Sequence, residues 1–234
     1  MDEMKPPLSS PYLAPGFYER ALAAGRHRDI VGGRWGETGR AQLALLRAEG
    51  MEPHHKLLDI GAGALRLGCL AVPFLHPGHY WASDASRALM LHGRARELPD
   101  PAALPEAQLI EDSTFDLPGL PEDMDFAIAF GVFCHLPPEA LRAALPQLRA
   151  RLPHLRALLM TVFLAPPAAH GAAFRQADGV VTHPARPPYH LTEATLRDWA
   201  QAARWQISLR PDILPRGQIL AVLTCLPDPN RNAA

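Results

Sequence analysis

The sequence is poor in the features that mark several large protein classes. Its three cysteines, Cys69, Cys134 and Cys225, are odd in number and far apart, so neither a disulfide framework nor a zinc site is expected, and no metal site is assigned. No stretch approaches the roughly 18 to 20 apolar residues that span a bilayer. The opening MDEMKPPLSSPYLAPG is acidic, then proline-rich, and has no apolar stretch of signal-peptide length. A cytoplasmic protein with no membrane partner is expected. Charge of one sign is lacking too: 23 basic residues stand against 24 acidic ones, so a nucleic-acid partner is not expected. No internal repeat is present. What remains is a chain of 234 residues, enough for one sizeable core, as a monomer or a homodimer.

Proline is abundant, with 25 residues, and falls mostly at element boundaries such as Pro99, Pro105, Pro118, Pro137 and Pro153. The densest stretch, APPAAHGAAFRQADGVVTHPARPP, predicts a long loop or insertion over 165–190 that lines a functional pocket. The expected organisation is a cover segment over 1–37, a main domain over 38–228 and a disordered tail over 229–234.

Short apolar strands alternate with helical patterns. The predicted strands are Lys56 to Ile60, Tyr80 to Ser83, Gln108 to Glu111, Asp125 to Phe130 and Leu155 to Leu164. Helices are predicted over Thr38 to Glu49, Ala64 to Leu75, Ser86 to Leu98 and the proline-started segment in which Leu141, Leu145, Leu148 and Leu152 recur. Such alternation argues for a parallel sheet with helices on both faces. The end breaks the rhythm. After a helix capped by Thr192, two strands, Gln206 to Arg210 and Gln218 to Cys225, are joined by only PDILPRG, too short for a helical crossover. One terminal strand is therefore antiparallel.

The first strand runs into LLDIGAGALRLG, residues Leu57 to Gly68. A dinucleotide fingerprint needs G-x-G-x-x-G, but after Gly61 and Gly63 the third place holds Arg66. The phosphate loop G-x-x-x-x-G-K-[ST] is absent as well. Asp59 at the strand end is a poor neighbour for a pyrophosphate and suits a cationic amino-acid group. Asp84 ends the second strand, where a carboxylate accepts from both ribose hydroxyls. Asp112 ends the third, placed for the exocyclic amine of adenine. Three carboxylates at successive strand ends describe a nucleoside ligand with a positive group and no phosphate, which is S-adenosylmethionine.

Taken in order, LLDIGAGALRLG, YWASDAS, EDSTFDLP and MDFAIAFGVFCHLPPEALRAALPQLRARL resemble the class I S-adenosylmethionine-dependent methyltransferases over roughly residues 38 to 225, in particular a subgroup with a G-x-G-x-L-R turn. The resemblance implies a Rossmann-like doubly wound α/β sheet of seven strands, mostly parallel, with an antiparallel terminal strand. It also implies S-adenosylhomocysteine as product. Gly61, Ala62 and Gly63 would pass beneath the methionine part, Asp84 would bind the ribose with Ala85 beside the adenine, Asp112 and Ser113 would contact the adenine, and Phe130 and Gly131 would lie beside the methionine portion. Ala64 departs from the family, many of whose members carry a third glycine there. Trp35 and Arg34 are expected either to fold over the cofactor or, for Trp35, to pack the N-terminal helix onto the sheet.

Methyl transfer to a hydroxyl calls for a general base, most simply a histidine. Among eleven histidines, His135 follows the fourth strand where cofactor and acceptor pockets meet in the family, and His190 with Tyr189 follows the long loop. These three are the catalytic or acceptor-contact candidates; His54 and His55 are expected to be solvated. The expected activity is methylation of a small-molecule acceptor at oxygen in specialised metabolism. Methylation of a protein or RNA, or S-adenosylmethionine binding without turnover, stays open as an alternative. The residues FGVF stand where many amine methyltransferases carry N/D-P-P-Y/F, which weighs against the macromolecular reading.

Overall fold

Runs such as FAIA and ALLMTVFL, apolar at almost every position, are stable as strands only when both sheet faces are covered. The computed structural model, which describes residues 10–214 and 217–226, shows that arrangement. The elements are α1 (Phe17–Ala23), α2 (Trp35–Ala48), β1 (Leu57–Ile60), α3 (Gly68–Phe74), β2 (Tyr80–Asp84), α4 (Arg87–Glu97), β3 (Leu109–Glu111), β4 (Phe126–Ala129), α5 (Pro138–Arg151), β5 (Ala157–Leu164), β6 (Phe174–Arg175), β7 (Val181–Thr182), β8 (His190–Leu191), α6 (Glu193–Ala202), β9 (Trp205–Leu214) and β10 (Gln218–Cys225). The sheet order is β3-β2-β1-β4-β5-β10-β9, with the short β8 pairing onto the end of β5. β1 to β5 are parallel, and β10 runs antiparallel to both β5 and β9. The reversed strand is thus β10, inserted between β5 and β9 by the terminal hairpin. The expected tail over 229–234 and the first nine residues of the expected cover lie outside the described residues.

Successive residues of each strand face opposite cores. Leu58, Ala127, Leu158 and Met160 pack with Leu141, Leu145 and Leu148 of α5 and Leu196 of α6 on one face. Leu57, Phe126, Ile128 and Leu159 pack with Leu46 of α2, Ala71 of α3 and Met90 of α4 on the other. Trp205, 1% exposed, donates its indole N–H to the Leu145 carbonyl at 2.9 Å, so its one polar atom is satisfied inside the core.

Two local expectations change. The helix predicted from Ala64 begins only at Gly68, because residues 62–67 are spent on a turn in which Leu65 takes φ +62°. The departure at Ala64 is accommodated from across the interface: α4 crosses so close that a Cβ on Gly93 would lie 2.2 Å from the Ala64 carbonyl oxygen. The close-packing glycine therefore sits on α4 instead of in the turn. His55, expected in solvent, is buried; its Nδ1 accepts from the Glu52 N–H at 2.9 Å and its ring packs on Phe126.

Candidate functional site

Parallel strands leave a crevice at their carboxyl ends where neighbouring connections depart to opposite faces, and here that point lies between β1 and β4. A cavity of about 190 Å³ occupies it. Asp59, Asp84 and Asp112, from the ends of β1, β2 and β3, all line it, together with Gly61, Ala62, Gly63, Ala85, Ser113, Phe130, Gly131 and His135.

The floor is the glycine turn. Gly61 and Gly63 hold φ of +69° and +55°, and a Cβ would meet Val132 Cγ2 at 2.4 Å on the first and Val31 Cγ1 at 2.5 Å on the second. Neither position has the backbone freedom or the space for a side chain. Asp84, 8% exposed, fixes this turn to the next helix: its Oδ2 accepts from the Gly63 N–H and its Oδ1 from the Ser86 N–H, both at 2.9 Å. Burial raises its pKa, and the two N–H donors oppose that rise. Asp59 is 3% exposed and takes a hydrogen bond from the Tyr80 hydroxyl at 2.7 Å. Burial pushes its carboxyl up to about 7, against the Tyr80 hydrogen bond and the nearby Arg66 charge. Asp112 is more open, and it folds its own loop by accepting from the Thr114 N–H at 2.8 Å and the Leu117 N–H at 3.0 Å.

The other wall comes from the N-terminal segment, through Tyr12, Tyr18, Ile30, Val31, Gly32 and Arg34. Arg66, the residue in the third-glycine place, ties that segment to the turn by donating to the Val31 carbonyl at 2.6 Å and the Gly33 carbonyl at 3.3 Å. Glu97 at the end of α4 anchors it from outside, accepting from His27 Nε2 at 2.6 Å and from Arg28 Nε and Nη2 at 2.8 and 2.6 Å. The Tyr12 hydroxyl donates to the Ile30 carbonyl at 3.0 Å, and its ring lies 5.2 Å from the His135 imidazole. Burial raises the Tyr18 pKa, so this phenol is neutral.

Three predicted residues are not brought to the cavity. Trp35 begins α2, where the Arg28 guanidinium sits 5.1 Å over its ring and His27 packs on its edge. Tyr189 is buried against Cys134, whose carbonyl takes the Tyr189 N–H at 2.7 Å, and lines a separate small cavity with Phe133, Leu141 and Val162. His190 pairs through β8 onto β5 and is fully buried; its Nδ1 bonds Thr182 Oγ1 at 2.8 Å and its Nε2 the His170 carbonyl at 3.1 Å. This network joins β8 to the β6–β7 hairpin, through Gln176 Nε2 donating to Thr182 Oγ1 at 3.0 Å. Segment 165–190 is therefore knitted together internally, and among the described residues it supplies none of the cavity wall. Sequence reasoning missed Tyr12, Tyr18, Arg66 and Gln218 as wall residues. Only Arg66, in its place after the glycines, left a trace in the sequence.

The sheet order with its reversed β10 and the crevice at the β1/β4 switch define the Rossmann-like fold of the S-adenosylmethionine-dependent methyltransferases. Solved structures share it. The Burkholderia thailandensis 1,6-didemethyltoxoflavin-N1-methyltransferase, bound to 1,6-didemethyltoxoflavin and S-adenosylhomocysteine, superposes with a TM-score of 0.58 at 19% identity, over 95% of this chain and 93% of that one. The magnesium protoporphyrin IX methyltransferase of Synechocystis PCC 6803 with bound S-adenosylhomocysteine gives 0.57 at 16% identity, over 88% and 96%. An S-adenosylmethionine-dependent methyltransferase from Mesorhizobium loti gives 0.52 at 15%, over 79% and 97%. No family model and no curated protein matches the sequence. Among the described residues no helix is long and apolar enough to cross a membrane, and no cluster of His, Cys, Asp and Glu could hold a metal.

Proposed function

We propose that this protein is an S-adenosylmethionine-dependent methyltransferase of the subgroup with a G-x-G-x-L-R turn, and that it methylates a hydroxyl of a small-molecule acceptor. The observation that carries this reading is the convergence of Asp59, Asp84 and Asp112 on one cavity whose floor excludes side chains. The donor set fits a cationic nucleoside. It supplies carboxylates for hydroxyls, an amine and a positive group, and the turn lacks a phosphate-binding signature. In this reading Asp84 takes the ribose hydroxyls through the lone pairs that Gly63 and Ser86 leave over. Ala85, Asp112 and Ser113 hold the adenine. Gly61 to Gly63 carry the methionine part between Asp59 and Phe130–Gly131.

Bound there, S-adenosylmethionine supplies an electrophilic methyl group on a positive sulfur. The chain's own residues do the rest. Tyr12, Tyr18 and Val31 exclude water, and alignment of the acceptor within about 3 to 3.5 Å of the methyl carbon is the main source of rate. His135, half-buried in the wall, receives the hydroxyl proton at its imidazole. The cover and its aromatic lining favour a small acceptor over a macromolecule, which needs an open groove, and tailoring of such acceptors belongs to specialised metabolism. Release of S-adenosylhomocysteine from a panel of hydroxylated acceptors tests the activity. Titration calorimetry with S-adenosylmethionine tests the binding. Tight binding with no turnover on any acceptor would leave a binding protein, and no binding would refute the reading.

A further inference from the structure

Gln218 opens β10 at the carboxyl edge of the sheet and lines the cavity. It is 5% exposed, and its Nε2 lies 3.7 Å from the Cys134 sulfur. Among the described residues its Oε1 has no hydrogen-bond partner. Turning the amide over would exchange nitrogen and oxygen but still leave one of them unpartnered. A buried amide atom in that condition is destabilising unless something outside the chain satisfies it.

β10 lies next to β5 and beyond β4, on the opposite side of β1 from the strands that carry Asp84 and Asp112. The cavity therefore has two halves, and Gln218 belongs to the one without the acids of β2 and β3. Val132, His135 and Leu136, from the loop after β4, share that half, and Tyr12 stacks toward His135 from the N-terminal segment. Its walls are flat rings and branched aliphatics, a lining that selects planar apolar molecules. Cations are scarce. Of the two arginines among the described lining residues, Arg66 donates to Val31, Gly33 and Gln42, and Arg34 stands 3.8 Å from Glu37.

We propose that this half is the acceptor subsite for an uncharged, planar hydroxy-aromatic compound bearing a second hydrogen-bonding group beside the methylated oxygen, and that the Gln218 amide holds that second group. The proposal rests on the methyltransferase reading above. In the transfer, the acceptor oxygen's lone pair forms the O–C bond as the C–S bond breaks, the electron pair of that bond stays on sulfur, and the hydroxyl proton passes to His135. Gln218 fixes which oxygen points at the methyl carbon. An acceptor bearing a carboxylate next to the hydroxyl shares the cavity with three acids, while Arg66 is already engaged by backbone carbonyls and Arg34 stands near Glu37.

The test titrates 2,3-dihydroxynaphthalene, 2-naphthol and 3-hydroxy-2-naphthoate into protein saturated with S-adenosylhomocysteine. The expected order is 2,3-dihydroxynaphthalene about tenfold tighter than 2-naphthol, the gain from satisfying one buried amide atom, with the carboxylate weakest. Gln218→Leu removes the tenfold preference and leaves S-adenosylhomocysteine affinity unchanged. Gln218→Met, which keeps the length of the side chain, gives the same result should the leucine variant fold poorly. Equal affinities in the wild type, failure of the diol to bind, or a preference that survives in both variants overturns the subsite. Failure of S-adenosylhomocysteine itself to bind overturns the methyltransferase reading as well, so the two are told apart.

Discussion

Replacing Asp84 with alanine is the perturbation whose consequences the structure defines best. The carboxylate already accepts from the Gly63 and Ser86 N–H groups, one on each oxygen, at 2.9 Å. Each oxygen keeps a second lone-pair direction, and the ribose reading places a hydroxyl on each. Charge-assisted bonds of this kind are worth roughly 1.5 to 3 kcal/mol apiece, so losing two weakens cofactor binding by about 3 to 6 kcal/mol, on the order of 10² to 10⁴ in Kd. The same change strips two N–H groups of their acceptor and lowers stability by about 1 to 3 kcal/mol for each left buried. Titration calorimetry with S-adenosylhomocysteine, on protein whose circular dichroism matches the wild type, separates the two effects. Asp84→Asn gives an intermediate loss, because one oxygen remains. A folded alanine variant whose Kd stays within about threefold of wild type, well short of the energy of a single charged bond, would refute the ribose role.

Five other outcomes follow from the same geometry. Burial holds the Asp59 carboxyl near 7, above its unfolded value, so its contribution to stability is full below the ordinary carboxylate range and lost as pH rises through about 7. The cofactor-free protein should accordingly melt lower at pH 8 than at pH 5, by about 2 to 4 °C per kcal/mol, and Asp59→Asn should flatten that slope. A cationic ligand favours the ionised carboxylate, so cofactor binding at pH 6 should release a proton, read as a calorimetric enthalpy that varies with the buffer's ionisation heat. Gly63→Ala forces a side chain onto φ +55° and against Val31, and should lower the melting point and weaken cofactor binding together. Glu97→Ala removes the anchor for His27 and Arg28; residues 26–33 should become the first site of limited proteolysis, and S-adenosylhomocysteine should dissociate faster. His135→Ala should reduce turnover by about 10² or more while cofactor affinity is kept.

The half of the site proposed for the cofactor is legible because its residues sit at strand ends. An acid that closes an apolar run, or a glycine pair after it, marks its own place in a parallel sheet, and Asp59, Gly61, Gly63, Asp84 and Asp112 all fall where that logic puts them. The half proposed for the acceptor follows no such rule. Tyr12 and Tyr18 reach the cavity because Arg66 and Glu97 hold the N-terminal segment down, and those contacts span tens of residues. Gln218 reaches it because the hairpin reverses β10 and brings its first residue beside β5. His190 and Tyr189 are chemistry-bearing side chains beside a long proline-rich stretch, but the His190 ring nitrogens are taken up by a buried network inside it and Tyr189 packs at Cys134. Trp35 shares its helical face with the cavity-lining Thr38 and Gln42, but its ring is taken up by the Arg28 guanidinium and His27, contacts that no local pattern marks.

The most direct test is a crystal structure of the protein with S-adenosylhomocysteine. The expected result is one molecule in the β1/β4 crevice, the ribose hydroxyls on Asp84, the adenine against Ala85, Asp112 and Ser113, and the sulfur turned toward His135 and Gln218. A crevice that stays empty at saturating ligand, or a ligand bound away from the three acids, would contradict it.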